Sequence, residues 1–156
     1  MTLHLRRFAP EDALRCFDVF RDAVHNGSAP HYDAAQRHAW LPEGPPGDGW
    51  LTRLGAARTW VGEDARDLQG FIALQPGGYL DMIFVRPAMR RSGLAVDLHD
   101  AMLKDARALG LDRLTTHASL LARPFFERQG WDVIAPETVT RDGVALHRFE
   151  MAMELP

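Results

Sequence analysis

LDMIFVRPAMRRSGLAVDLHDAML, residues 80–103, passes from an apolar run through a turn with Pro87 and Gly93 into an amphipathic helix. The run Tyr79–Val85 reads as a strand, and Pro87 stops it. From Gly93 to Leu109, Leu94, Leu98, Ala101, Met102 and Leu109 recur on one helical face, and Gly110 closes the helix. A helix start has unpaired N–H groups and the positive end of its dipole, so it suits an anion. Gly93 has no side chain to keep a phosphate from the backbone. Arg86, Arg90 and Arg91 crowd into six residues beside it, and arginine binds phosphate in bidentate fashion. The segment predicts a phosphate or pyrophosphate at residues 90–96. It is neither a Walker loop nor the three-glycine dinucleotide fingerprint.

Working outward, the chain alternates short strands and helices. An opening strand spans residues 3–8. A helix starts at Pro10 and presents Leu14, Phe17, Val19, Phe20 and Val24; Asn26-Gly27-Ser28 ends it. A second helix covers residues 33–40 with Asp33 as cap, and a short one lies near 50–57. Strands at 59–63, 70–74 and 79–85 form a meander, followed by the long helix. A strand at 114–119, a helix at 122–129, and strands at 131–139 and 144–153 complete the order, the last two joined at Arg141-Asp142-Gly143. This predicts an α/β fold (α+β by some schemes), a mixed sheet of about seven strands with flanking helices, in a single domain over residues 1–156.

The 156 residues are 46% apolar and 25% charged, with net charge −3, which indicates no general attraction to nucleic acid or anionic membrane. One cysteine, Cys16, excludes a disulfide framework and a multi-cysteine zinc site, and it fits an inert buried helix position. The apolar runs are too short to span a bilayer and the first residues lack a secretory pattern, so the expectation is a cytoplasmic protein. His25, His31 and His38 lack ligand spacing, and no metal is expected.

Arg90-x-x-Gly93-x-Ala95, after a strand ending in Val-x-Pro, resembles the acyl-CoA pyrophosphate motif of the GNAT superfamily of N-acetyltransferases. Ser119-x-x-Ala122-x-x-Phe125-Phe126-Glu127-x-x-Gly130-Trp131 resembles its second signature. His31-Tyr32, Gln36, Ala39-Trp40, Tyr79-x-Asp81 and Pro124 to Arg128 add a narrower similarity to YafP-like members. The resemblance implies acetyl transfer from acetyl-CoA, as co-substrate, to a primary amine of a small molecule, protein or peptide, in a monomer or homodimer. It implies that strands 79–85 and 114–119 splay apart around CoA. Met82, Ile83, Phe84 and Val85 would pair with the pantetheine arm, and a β-bulge in their strand would offer an N–H to the thioester oxygen. Arg90, Arg91, Ser92, Gly93, Leu94, Ala95 and Val96 would hold the pyrophosphate, and Ser119, Ala122 and Phe126 would touch the cofactor.

Two residues depart from that pattern. Ser119 stands where asparagine is usual. Phe126 stands where a tyrosine commonly protonates the thiolate, which leaves Ser119, Tyr32 or water for that step. The same departure motivates the alternative of a catalytically weak acyl-CoA-binding or sensing module. Strict alternation in 79–85 would put Tyr79, Asp81, Ile83 and Val85 on one face and Leu80, Met82 and Phe84 on the other. A carboxylate in so apolar a strand is costly to bury without a partner or a task. Strand positions matching Tyr79 and Asp81 carry base or proton-relay residues in several GNAT enzymes, so the resemblance implies Asp81, with Tyr79 and Ser119, as the catalytic set, Asp81 serving as base or ammonium anchor. His31, Tyr32, Trp40 and His117 are the expected acceptor-side residues.

Overall fold

The computed structural model describes residues 2–156. One sheet of seven strands organises them, in the order β1-β2-β3-β4-β5-β7-β6. The strands are β1 (His4–Arg7), β2 (Arg58–Glu63), β3 (Leu68–Leu74), β4 (Tyr79–Val85), β5 (Arg113–Ser119), β6 (Asp132–Arg141) and β7 (Val144–Glu154). Only β4 and β5 pair in parallel, joined by the crossover helix α4 (Leu94–Ala108). The other helices are α1 (Ala13–Asp22), α2 (Ala34–Trp40), α3 (Trp50–Ala56) and α5 (Arg123–Arg128). The mixed sheet matches the expected fold class. Among the described residues no helix is long and apolar enough to cross a membrane.

Two cores cover the two faces of the sheet. On one, Cys16, Phe17 and Phe20 of α1 and Trp50 and Leu54 of α3 pack against Val61, Phe71 and Met82. On the other, Leu94, Leu98 and Met102 of α4 pack against Ile72, Leu80, Leu114 and Met151, with Phe126 and Trp131 beside them. Helix α1 corrects the sequence reading at one position. Pro10–Asp12 form a 3-10 turn, and Leu14 emerges 70% exposed while Ala13 and Cys16 take the inner face. Asp33 caps α2 as expected, accepting from the Gln36 N–H at 2.8 Å. Asp142 and Gly143 both adopt positive φ, the geometry of a tight hairpin turn.

The strand β4 departs from simple alternation. Ala73 and Leu74 of β3 face Met82 and Leu80, so Asp81 is an extra residue bulged into β4. The bulge exchanges the faces: Leu80, Ile83 and Val85 join the α4 side, while Met82 and Phe84 join the α1 side. Period-two reading cannot anticipate such an insertion.

Candidate functional site

Strands β4 and β5 touch only at their beginnings. Tyr79 pairs with Thr115 and Leu80 with Thr116, and the Thr116 hydroxyl donates to the Leu80 carbonyl at 2.7 Å. Gly78 permits this approach: its φ is +102°, and a Cβ there would lie 2.8 Å from the Arg113 carbonyl oxygen. Beyond Leu80 the strands part, and Met82, Ile83, Phe84 and Val85 have no partner on the β5 side. An open edge of this kind accepts an extended polar chain as an added strand. At the fork, both oxygens of Asp81 accept from Arg53 of α3, at 2.6 and 2.8 Å. The Asp81 side chain is only 10% exposed, so the guanidinium supplies the partner its burial requires. The carboxylate that sequence reading put forward as base or ammonium anchor is thus occupied in an ion pair bracing the bulge. Arg53 gave no local signal, because it lies 28 residues away on another element.

The mouth of the fork is the turn before α4. Arg91 and Gly93 both have positive φ, 64° and 88°. Such alternation turns successive N–H groups inward to form an anion-binding concavity. Leu94 N–H donates to the Ser92 hydroxyl and Asp97 N–H to Gly93. Among the described residues, nothing accepts from the N–H groups of Arg91, Gly93, Ala95 and Val96. The arginine cluster is dispersed, against the sequence reading. Arg86 is spent on Asp18, Asp22 and Asp67, and Arg90 donates to the Gly27 carbonyl at 2.5 Å. The aspartates at the end of α1 and in the β2–β3 turn draw Arg86 away. Arg90 and Arg91 are both exposed beside the turn, and among the described residues Arg91 is the one of the three whose side chain makes no hydrogen bond or ion pair.

Across the sheet from α4, a cleft is lined by Tyr32, Trp40, His117, Ser119, Val139, Arg141, Leu146, His147 and Arg148. Tyr32 locks the loop before α2 onto the sheet: its hydroxyl donates to the His147 carbonyl at 2.7 Å and accepts from Leu120 N–H at 3.0 Å. Burial pushes the Tyr32 phenol above the ordinary tyrosine range, so its proton stays in that bond. His31, expected beside it, is exposed and outside the cleft lining.

His117 joins the fork to the cleft. Its Nδ1 lies 2.8 Å from the Tyr79 hydroxyl and its Nε2 lies 3.4 Å from a Glu137 oxygen. An acceptor at Nε2 assigns the proton there, which leaves Nδ1 to accept from Tyr79. Burial, then the charge of Asp81, raises the Tyr79 phenol and keeps it protonated. Glu137 in turn accepts from Arg148 at 2.9 Å, and this bond holds its carboxyl below the usual range. Sequence reading missed Glu137, Arg148 and Arg141. The first two lie equally far from the Asp142-Gly143 turn, so hairpin register could have paired them. Glu150 also brings a carboxylate oxygen within 4.8 Å of this group.

Around α5, the Ser119 oxygen accepts from Ala122 N–H at 3.1 Å, which leaves the hydroxyl proton free to donate. Phe126 is 2% exposed, its ring packed on Trp131 at 5.1 Å. The core thus takes the ring expected to touch the cofactor. Cys16 is fully buried, and burial pushes its thiol up to about 12, as an inert helix residue requires.

Residues 29–155 match the family model of the acetyltransferase (GNAT) domain. The uncharacterised N-acetyltransferase YafP of Escherichia coli strain K12 is 30% identical over 149 residues, 96% of this chain and 94% of that protein. A GCN5-related N-acetyltransferase from Rhodopseudomonas palustris, described as a class-II aminotransferase, superposes with a TM-score of 0.92 at 28% identity, covering 99% of this chain and 97% of that one. The PaiA N-acetyltransferase of Thermoplasma acidophilum, in complex with coenzyme A, superposes at 0.77 with 15% identity, covering 99% and 100%. With the forked strands and the left-handed turn before α4, these likenesses fix the kinship: the chain belongs to the GNAT family of N-acetyltransferases.

Proposed function

We propose that this enzyme transfers the acetyl group of acetyl-CoA to a primary amine by direct attack on the thioester. The observation that carries this reading is the hydrogen-bonded chain Tyr79–His117–Glu137, standing where β4 and β5 part and open on the cleft behind them. In the reading, the pantetheine arm lies along Met82–Val85, the pyrophosphate on the N–H groups of residues 91–96, and the amine enters through the cleft. Arg53 and Asp81 hold the bulge whose N–H meets the thioester oxygen.

The chemistry follows from those positions. An ammonium acceptor gives one proton to the Tyr79 oxygen, while the Tyr79 proton moves to His117 Nδ1. Glu137 stabilises the resulting imidazolium, which later returns its proton to solvent. The freed amine forms the C–N bond at the carbonyl carbon, and the C–S bond breaks as the tetrahedral adduct collapses. The second nitrogen proton is lost as the thiolate leaves. Ser119 donates to the sulfur and is reprotonated from the nitrogen through water. A thiol pKa of ~8.5 makes this last step undemanding, so the loss of tyrosine at Phe126 is tolerable.

The burial of Phe126 favours one second reading, a CoA-binding module without turnover. Acetyl-CoA titration with a thiol-release assay over a panel of primary amines separates the two. Acetyl-CoA binding with amine-dependent thiol release and a mass gain of one acetyl group is the expected result. Binding without release from any amine would establish the module instead. Tyr32→Phe tests the acceptor side. It removes both hydrogen bonds at the cleft wall and leaves Leu120 N–H unpaired, at a cost of about 1–3 kcal/mol in stability. The KM for amine should rise several-fold while that for acetyl-CoA holds; equal rises would remove Tyr32 from the acceptor side.

A further inference from the structure

We infer that the amine accepted in the cleft carries a carboxylate, received by Arg141, with an apolar body between the two charged ends. The inference rests on the acetyl-transfer reading for its amine and on the cleft alone for its anion. The walls contributed by Trp40, Val139 and Leu146 are apolar. Arg141, Arg148, His117 and His147 line the cleft beside Tyr32 and Ser119, and the nearby carboxylates, Glu137 and Glu150, stand outside that lining with His117 at the fork end. Arg148 is already satisfied by Glu137. Among the described residues no carboxylate reaches Arg141, which ends β6 exposed.

The charges are also ordered along the cleft. Glu137 and Glu150 stand with His117 at the fork end. Ser119 of β5, Arg148 of β7 and Glu137 of β6 occupy one row across the strands. Arg141 lies four residues further along the same face of β6, ~13 Å away at Cα. An ammonium at the fork meets acid, and a group at the far end meets an unpaired guanidinium. A diamine would set its second charge against Arg141, an electrostatic rejection built into the site. An amino carboxylate satisfies both ends, and arginine is suited to holding carboxylate by two parallel bonds.

Two matched pairs of acceptors test this. 4-(Aminomethyl)benzoate and benzylamine differ only in a carboxylate distant from the amine; L-phenylalanine and phenethylamine differ in one close to it. With saturating acetyl-CoA, 4-(aminomethyl)benzoate should exceed benzylamine at least tenfold in kcat/KM, L-phenylalanine should gain less over phenethylamine, and 1,4-diaminobutane should be the poorest acceptor. In Arg141→Gln that ratio should fall to near one, and Arg141→Lys should keep part of it. Calorimetry on the CoA-loaded protein, with the N-acetylated forms of the same compounds, reads the anion site without turnover. If no amine is acetylated, yet an acetylated acid still binds tenfold tighter and loses that margin in Arg141→Gln, the carboxylate site stands and acetyl transfer falls. Acid and amine equal in the first pair, a larger gain in the second pair than in the first, preference for the diamine, or a preference indifferent to Arg141 would overturn the inference.

Discussion

Tyr79→Phe is expected to lower kcat/KM for the amine at neutral pH by on the order of 10²- to 10⁴-fold, the range of general acid–base contributions. The KM for acetyl-CoA should hardly change, because the phenol stands at the fork rather than along the open β4 edge. The variant keeps the ring and removes only the atom that links substrate to His117. Its loss should shrink with rising pH. An acceptor amine of pKa ~10.4 is almost wholly ammonium at pH 7, and without a relay the solvent must deprotonate it first. The variant's rate should therefore climb about tenfold per pH unit between pH 7 and 9, as the free amine does. In the wild type the climb should be shallower. Burial keeps the Tyr79 phenol protonated and able to relay over this range, because its pKa is raised. Glu137, lowered by Arg148, keeps its charge toward the acid side. His117→Gln, which can still accept from Tyr79 but cannot take its proton, should reproduce the profile. A loss in Tyr79→Phe that stays constant from pH 7 to 10, or a parallel rise in the KM for acetyl-CoA, would remove the relay from the mechanism.

What was legible in the sequence follows from how far apart the interacting residues lie. The strand–turn–helix at 79–109 and the hairpin at Arg141-Asp142-Gly143 are local, written in Pro87, Gly93, Gly110 and Gly143, and the structure has them. The family resemblance implied a bulge in β4, and the structure has one at Asp81; the strict alternation of faces failed, since the bulge's position is set by how β4 pairs with β3 and not by β4 itself. Of the three clustered arginines, Arg86 is drawn away for a related reason. Sequence shows three neighbouring charges but not the aspartates, 64 and 68 residues away, that neutralise Arg86. Likewise Asp81 stood out as a carboxylate needing a partner, and the need was real; Arg53 of α3 meets it.

The acceptor side was the least legible part. His117 was singled out because it ends a strand at the fork, but its meaning depends on Glu137, which reaches it only because β7 lies between β5 and β6. That order is a long-range property of the sheet, and no spacing in the chain encodes it. Tyr32 and Trp40 were picked out with His31 as an aromatic and polar mixture, and both do line the cleft, whereas His31 is exposed and lies outside its lining. Side-chain type suggested a surface of mixed polarity; only the register of β6 on β7 arranges its charges from acid at the fork to Arg141 at the far end.

Gly93→Val should raise the dissociation constant of acetyl-CoA on the order of a hundredfold in a folded protein. Two effects combine. Gly93 holds φ at +88°, where an L-residue costs ~1–2 kcal/mol and a β-branched one is an outlier, so the turn would relax away from that conformation. With it would go the inward aim of the N–H groups at 91, 93, 95 and 96, each without a partner in the described structure. Hydrogen bonds to a charged group are worth about 1.5–3 kcal/mol each, so losing two weakens binding by about 3 kcal/mol, or roughly 10²-fold. The fold should survive, because no atom lies within 4 Å of where a Cβ at 93 would stand. Gly93→Asn, whose side chain is tolerated in the left-handed region, should lose far less. S-acetylpantetheine separates the pyrophosphate from the rest of the cofactor. Lacking the anion, it should bind wild type and Gly93→Val alike, so that the variant loses only the margin by which acetyl-CoA exceeds it. If a folded Gly93→Val protein kept that margin, the turn before α4 would not be where the pyrophosphate sits.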